Sequence, residues 1–429
     1  MIFTQNAINT RKNLVASALS PALSEQDIVL VFAGSPIQKP GGHDQTYTFL
    51  PHPDYFWLTG SRRPFGVSAF SKKDGWIDYV LPISRDERIW EGGTEQVIAG
   101  EDIKNFDSWL SKKAPAKTYL IGQFDQHRHL SKVAEEERIK LQELFNQVRR
   151  VKDQEEIKLI QNIAHMANEG YKRIKNIIRP GLTERQIQIE YETEVLRAGS
   201  EKFPYDSIVG TGTNSAILHA IPTPRVLKDG EHVLIDAGAD VHDYCVDITR
   251  NFAVNGTYSS RQKMIHDLVL KAQETSIALC RPGVDWKDVH LASARVMAQG
   301  LNDLGILKIS AEEAIETSAI AVFFPHGVGH MVGLRVRDVG GPYNPNPKKY
   351  AGARLRVDMP LREGHLMTVE PGLYFIPALL DDEMTRKDFK DAINWSEVEK
   401  WKDFGGIRIE DDILVTKNGP ENLTAIVEK

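Results

Sequence analysis

Along the first third of the chain, short apolar runs alternate with polar, helix-like stretches. Ile28-Val29-Leu30-Val31-Phe32 and Tyr79-Val80-Leu81 read as strands, and the alternation predicts an α/β layer domain. Near its start, Arg11-Lys12 precedes Leu14-Val15-Ala16-Ser17-Ala18-Leu19, an apolar stretch too short for a secretory signal and closed off by Pro21. Ile8, Leu14, Val15, Ala18 and Leu19 instead predict one face of a helix. A charged region from Val133 to Glu156 then leads into Ile157, Ile160, Ile163, Met166, Ala167, Tyr171, Ile174 and Ile178, spaced as on a helix. We place a domain boundary there, giving domains 1–150 and 151–429.

The second domain contains a repeat. Arg179-Pro180-Gly181-Leu182-Thr183-Glu184-Arg185-Gln186-Ile187 recurs as Arg281-Pro282-Gly283-Val284-Asp285-Trp286-Lys287-Asp288-Val289. In each copy Pro-Gly ends a long helix, and Thr183 or Asp285 is placed to cap the next by accepting from its free amides. Strand-like sequence follows each copy. A duplicated helix-and-strand unit predicts two halves related by a pseudo-twofold axis, with a site between them fed from both.

Some strand-like runs carry an acid where an apolar residue is expected. Val233-Leu234-Ile235-Asp236, Val246-Asp247-Ile248, Met367-Thr368-Val369-Glu370 and Ile407-Arg408-Ile409-Glu410 do so, and His326-Gly327-Val328-Gly329-His330 adds an imidazole. An ionised carboxylate taken out of water needs a partner, hydrogen bonds or a metal. One such acid fits a salt bridge; Asp236, Asp247, His330, Glu370 and Glu410 together point to a buried two-metal centre. Asp236 and Asp247 flank Gly238-Ala239-Asp240-Val241-His242-Asp243, so a hairpin brings them to one face. Arg408 and Glu410, two apart on a strand, point the same way and share the site.

Composition enters mainly by exclusion. A chain of 429 residues exceeds one ordinary core, so two domains are the default. Lys and Arg number 53 against 59 Asp and Glu, a formal charge of −6 without long single-sign blocks, which excludes an electrostatic footprint for nucleic acid. Cys245 and Cys280, the two cysteines, form no C-x-x-C pair and predict a reducing, cytoplasmic setting. No run approaches the ~20 apolar residues of a membrane span. Gly210-Thr211-Gly212 lacks the rest of a phosphate loop.

Leu234-Ile235-Asp236-Ala237-Gly238, Asp247-Ile248-Thr249-Arg250, His326-Gly327-Val328-Gly329-His330, Thr368-Val369-Glu370-Pro371-Gly372 and Arg408-Ile409-Glu410-Asp411 resemble, in order and spacing, the signature of the pita-bread metallopeptidases, the group of creatinase and methionine aminopeptidase. Within it the chain is most similar to Xaa-Pro dipeptidases (prolidases) and X-Pro aminopeptidases (aminopeptidase P), along nearly its whole length and most strongly from Tyr205 onward. The resemblance implies an α+β protein: a C-terminal pita-bread fold with duplicated halves, preceded by a smaller α/β domain like the N-terminal domain of creatinase and aminopeptidase P. It also implies that Asp236 holds one metal, His330 and Glu370 the other, and that Asp247 and Glu410 bridge them. The oxygen-rich set suits two Mn²⁺ ions and also accepts Co²⁺, Zn²⁺ or Fe²⁺. A metal-bridging hydroxide is then the implied nucleophile, with Glu370 handling its proton. By the same resemblance His219 and His326 lie near the substrate as non-ligand histidines, and Tyr205 and Tyr374 hydrogen-bond around the metals.

Arginines bear on the branch of the family. Arg356 stands fourteen residues before Glu370, where prolidases resemble one another in an arginine that grips the dipeptide carboxylate bidentately. Tyr374-Phe375-Ile376-Pro377-Ala378-Leu379-Leu380 and Phe404-Gly405-Gly406 also look prolidase-like, so the expected function is an Xaa-Pro dipeptidase, with an X-Pro aminopeptidase for longer peptides and a silent binding protein as alternatives. Seven residues after His330 the family usually has a histidine near the substrate; this chain has Arg337, which can bind a carbonyl or carboxylate but cannot shuttle protons. The loop matching Trp90, in Arg85-Asp86-Glu87-Arg88-Ile89-Trp90-Glu91-Gly92, can reach a neighbouring subunit in the family, which implies a homodimer.

Overall fold

A computed structural model describes residues 2–42, 44–92 and 99–429, and the chain divides into two compact units, Met1–Arg149 and Arg150–Lys429. In the first, strand Ile28–Phe32 is buried along its length, pairing antiparallel with Val67–Ser71 and parallel with Thr118–Gly122. Burial on both faces explains why it reads as an unbroken apolar run. Gly75–Val80 and Glu101–Asp102 complete the sheet. Helix Gln5–Leu19 forms as expected, but its buried face is Ile8, Arg11, Val15 and Leu19, whereas Leu14 is 54% exposed. Arg11 takes the apolar place because its guanidinium stacks 3.9 Å from the Phe3 ring and donates to the Trp57 carbonyl. Trp90, on helix Arg85–Glu91, is 85% exposed.

The second unit repeats one arrangement twice. Helices Gln154–Ile177 and Glu184–Arg197 pack together and lead to a sheet of Ile208–Thr211, His232–Asp236 and Thr249–Ala253. Helices Ser260–Ala278 and Trp286–Asp303 do the same and lead to Leu366–Val369, Asp411–Thr416 and Gly419–Asn422. Gly181 and Gly283, at φ of 93° and 89°, supply the left-handed residue each break needs. The hydrogen bonds repeat as well: the Gly181 amide donates to the Leu227 carbonyl and the Gly283 amide to that of Leu361. Nine residues beyond Leu227 stands Asp236; nine beyond Leu361 stands Glu370.

Thr183 caps its helix in a reciprocal capping box with Gln186. Asp285 departs from its expected role: it occupies the cap position, yet its side chain makes no cap bond and instead pairs with Lys287 at 3.2 Å. The Asp288 amide that such a cap would serve donates instead to the Asp285 backbone carbonyl at 2.9 Å. No helix among the described residues is long and apolar enough to cross a membrane.

Candidate metal centre and substrate cavity

Asp236 ends strand His232–Asp236 and lies opposite Thr249 in the antiparallel pair. Asp247 precedes Thr249 by two, so pleating keeps the two on one side; the small hairpin of Asp240–Val241 and Tyr244–Cys245 fills the connection. From the other half, Glu410 forms a bridge to Thr249, whose hydroxyl donates to Glu410 Oε2 at 2.6 Å. This threonine helps tie the halves together at the site, as does Arg408, which reaches across to Asp236.

His330 is placed by a loop zipped onto the strand that leads to Glu370. Thr368 N–H donates to the His330 carbonyl and Glu370 N–H to that of Val328, both at 2.8 Å. The approach demands glycine at 329, where a Cβ would lie 2.0 Å from the Thr368 carbonyl oxygen. His330 Nδ1 lies 3.0 Å from the Met331 carbonyl, which orients the ring so that Nε2 faces Asp247 Oδ2 at 3.5 Å and Glu370 Oε1 at 3.8 Å. Asp247, His330 and Glu410 each offer one donor atom within 4.8 Å of the others.

Charge makes the same point. Asp236, Asp247 and Glu410 are buried and Glu370 nearly so, yet Arg408 is the cation that pairs directly with them, through Asp236 at 2.6 Å. Burial, countered mainly by Arg408 and reinforced by Asp247, pushes the Asp236 carboxyl up to about 6. Burial also raises Glu370 and, with the neighbouring acids, raises Glu410 well above the ordinary range. At Asp247 burial is again the largest influence, but contacts from His330, Tyr205 and Arg408 together hold it below its usual value. Four acids and one imidazole around a single guanidinium fit divalent cations, which supply the missing positive charge. A proton on Asp236 competes with such ions, and that competition weakens as pH climbs past about 6. The rise in melting temperature on adding saturating Mn²⁺ is therefore expected to be larger at pH 7.5 than at pH 5, as differential scanning fluorimetry at the two values checks.

Around the acids the remaining polar groups form a connected set. Tyr205 OH lies 2.7 Å from Asp236 Oδ1 and 2.6 Å from Asp247 Oδ1, and its single proton serves one at a time. Replacing Tyr205 with phenylalanine is expected to weaken divalent-ion affinity about 10–100-fold, measured by titration against a chelator of known affinity. Arg408 donates from Nη1 to Tyr374 OH at 2.9 Å and from Nε to Thr249 Oγ1 at 3.1 Å. His326 Nε2 is 3.0 Å from Tyr374 OH and its Nδ1 2.9 Å from the Gly327 carbonyl. Burial drives the His326 pKa down to about 3, so this imidazole stays neutral and acts through hydrogen bonds rather than as a charged acid.

These groups open onto a cavity of about 690 Å³, which His219, Arg337 and Arg356 also line, with Ile208, Leu218, Ile221 and Val336 as apolar wall. All the expected site residues thus gather at one place. Sequence reasoning did not single out Thr249, Thr368 or Asp412, whose Oδ2 accepts from the Asp247 amide at 3.1 Å. The first two stand two residues from Asp247 and Glu370, a spacing that shares a strand face; Asp412 carries no such signal.

A model of metallopeptidase family M24 matches residues 158–417. A probable Xaa-Pro aminopeptidase of Botryotinia fuckeliana is 30% identical over 397 residues, covering 90% of this chain and 87% of the relative. One of Ajellomyces capsulatus is 32% identical over 422 residues, covering 92% and 89%. Among solved structures, the aminopeptidase PepP of Pseudomonas aeruginosa superimposes with a TM-score of 0.81 at 27% identity, covering 100% of this chain and 97% of that one. Zinc-substituted aminopeptidase P of Escherichia coli in complex with product gives 0.78 at 28%, covering 100% and 96%.

Proposed function

The chain belongs to metallopeptidase family M24, and from that premise we propose that it hydrolyses the Xaa-Pro bond as an aminopeptidase acting on peptides that continue beyond proline. The relatives described above carry Xaa-Pro aminopeptidase and aminopeptidase P names, which favours this reading over the dipeptidase expected from Arg356. The observation that supports hydrolysis is the convergence of Asp236, Asp247, His330, Glu370 and Glu410 on one cavity. Those five side chains would hold two divalent ions, with Mn²⁺ the preferred ion for so oxygen-rich a set. Bound there, such ions would lower the pKa of a water and polarise the scissile carbonyl.

The protein's own groups do the rest. Glu370, its carboxyl raised by burial, takes the water's proton and returns one to the proline nitrogen as that amine leaves. The cavity-lining His219 holds the substrate by a hydrogen bond, neutral His326 positions the Tyr374 hydroxyl, and Arg408 fixes Asp236 and that same hydroxyl. Two copies of the chain assembling through the face that carries Trp90 belong to the same proposal, and light scattering tests them. For the activity, Mn²⁺-loaded protein is assayed on Ala-Pro and on Ala-Pro-Ala, with a chelated control. Faster tripeptide cleavage is expected; preference for the dipeptide restores the prolidase reading, and no cleavage of either rejects the proposal.

A further inference from the structure

Behind the strands that carry the acids lies a second buried cluster of charge. Side chains alternate along each strand: Thr249 and Asp412 take part in the site, while their neighbours Arg250 and Asp411 point the other way and pair at 2.6 Å, both buried. Arg250 donates from Nη1 to the Glu410 carbonyl at 2.6 Å. From Nη2 and Nε it also reaches the carbonyls of Val427 and Glu428, at 2.8 and 3.0 Å. Gln273, buried on helix Ser260–Ala278, donates from Nε2 to the Val369 carbonyl at 3.2 Å and to Asp411 Oδ2 at 3.1 Å. Val369 and Asp411 are partners in the sheet, so one amide holds the residue before Glu370 and the residue after Glu410. Lys429 closes the cluster, with Nζ 2.6 Å from Gln273 Oε1 and 2.8 Å from Asp411 Oδ2.

These bonds grip peptide groups rather than ligand atoms. The carbonyls of Val369 and Glu410 belong to the peptide planes next to the two glutamates, and turning either plane moves its carboxylate. Residues 427–429 complete the grip on both. Without Lys429 the buried Gln273 oxygen loses its donor and Asp411 loses one of its two cations; without the Val427 and Glu428 carbonyls the Arg250 donors are left unanswered in the interior.

Resting on the two-ion reading above, we infer that residues 427–429 are a strap, anchored by Lys429 as a positioning residue, whose seating raises the affinity of the site for divalent ions. Linkage requires the converse: bound ions hold the strap down by the same factor. The charge of Lys429 acts in the opposite sense. A cation near the site repels a divalent ion, so a purely electrostatic role predicts tighter binding once the charge is removed, and a positioning role predicts weaker binding.

The test measures Mn²⁺ affinity by titration against a chelator in Lys429→Met and Lys429→Arg. In parallel, hydrogen exchange of residues 423–429 is followed in the unaltered protein with and without saturating Mn²⁺. Lys429→Met is expected to weaken affinity about fivefold, less than the roughly 10–100-fold lost when a group bonded directly to a metal ligand is removed. Lys429→Arg should recover most of that loss. Mn²⁺ is expected to slow exchange of the strap by about the same factor. Melting of the metal-free variants checks that the fold is kept, and the exchange measurement needs no substitution. Affinity unchanged or tightened in Lys429→Met, or strap exchange indifferent to an ion that does bind, overturns the strap and leaves the two-ion reading standing. If the unaltered protein binds neither Mn²⁺, Co²⁺ nor Zn²⁺, both fall together.

Discussion

Asp247→Ala is expected to lower kcat/KM by at least about 10³-fold, because the chemistry rests on lowering the pKa of a water that is otherwise near 16. Asp247 is tied to the site on several sides: its oxygens meet Tyr205 at 2.6 Å and His330 at 3.5 Å, and its amide donates to Asp412. Bound metal, measured by elemental analysis after dialysis, should fall from about two ions per chain in the same variant. Near-normal turnover, or loss of turnover with both ions retained, would sink the two-ion proposal. Circular dichroism and the melting temperature without metal separate this outcome from misfolding. The variant should keep the folded signal, since Tyr205 retains Asp236 as acceptor at 2.7 Å.

Glu370→Gln tests the proton step apart from the metal. The amide keeps the shape and one donor oxygen but can neither take nor return a proton. Loss of a positioned general base is typically worth 10²–10⁴ in rate, so kcat should drop about 10³-fold while KM changes little. Metal content is expected to fall far less than in Asp247→Ala. A kcat near that of the unaltered protein, with metal retained, assigns the proton to another group.

The sequence exposed the ligand set because an acid inside an apolar strand is chemically conspicuous. Asp236 and Glu370 could be read for that reason, and the repeated Pro-Gly break anticipated that they would come from equivalent places in two halves. What stayed hidden was the identity of supporting contacts between distant segments. Thr249 looks like any strand threonine until Glu410 is brought beside it, and nothing local to Asp412 announces that it accepts from the Asp247 amide. Helical spacing misassigned Leu14 because hydrophobicity alone cannot foresee an arginine stacked on Phe3. Asp285 occupies the cap position its sequence suggests, and only the geometry shows that Lys287 has claimed its carboxylate. The choice between dipeptide and longer substrate rested on one arginine, Arg356, and a single cation in a cleft does not reveal how far the bound peptide extends.

The bond from Thr249 to Glu410 spans 161 residues of chain. Closing so long a loop is entropically slow and comes after local helices and hairpins have formed. Neither half can assemble the full ligand set by itself during synthesis, since Glu410 follows nearly everything it must meet. Divalent ions are therefore expected to slow unfolding more than they change refolding, as stopped-flow measurements with and without Mn²⁺ check. In a cell, metal supply would govern how long the finished protein lasts more than how quickly it is made.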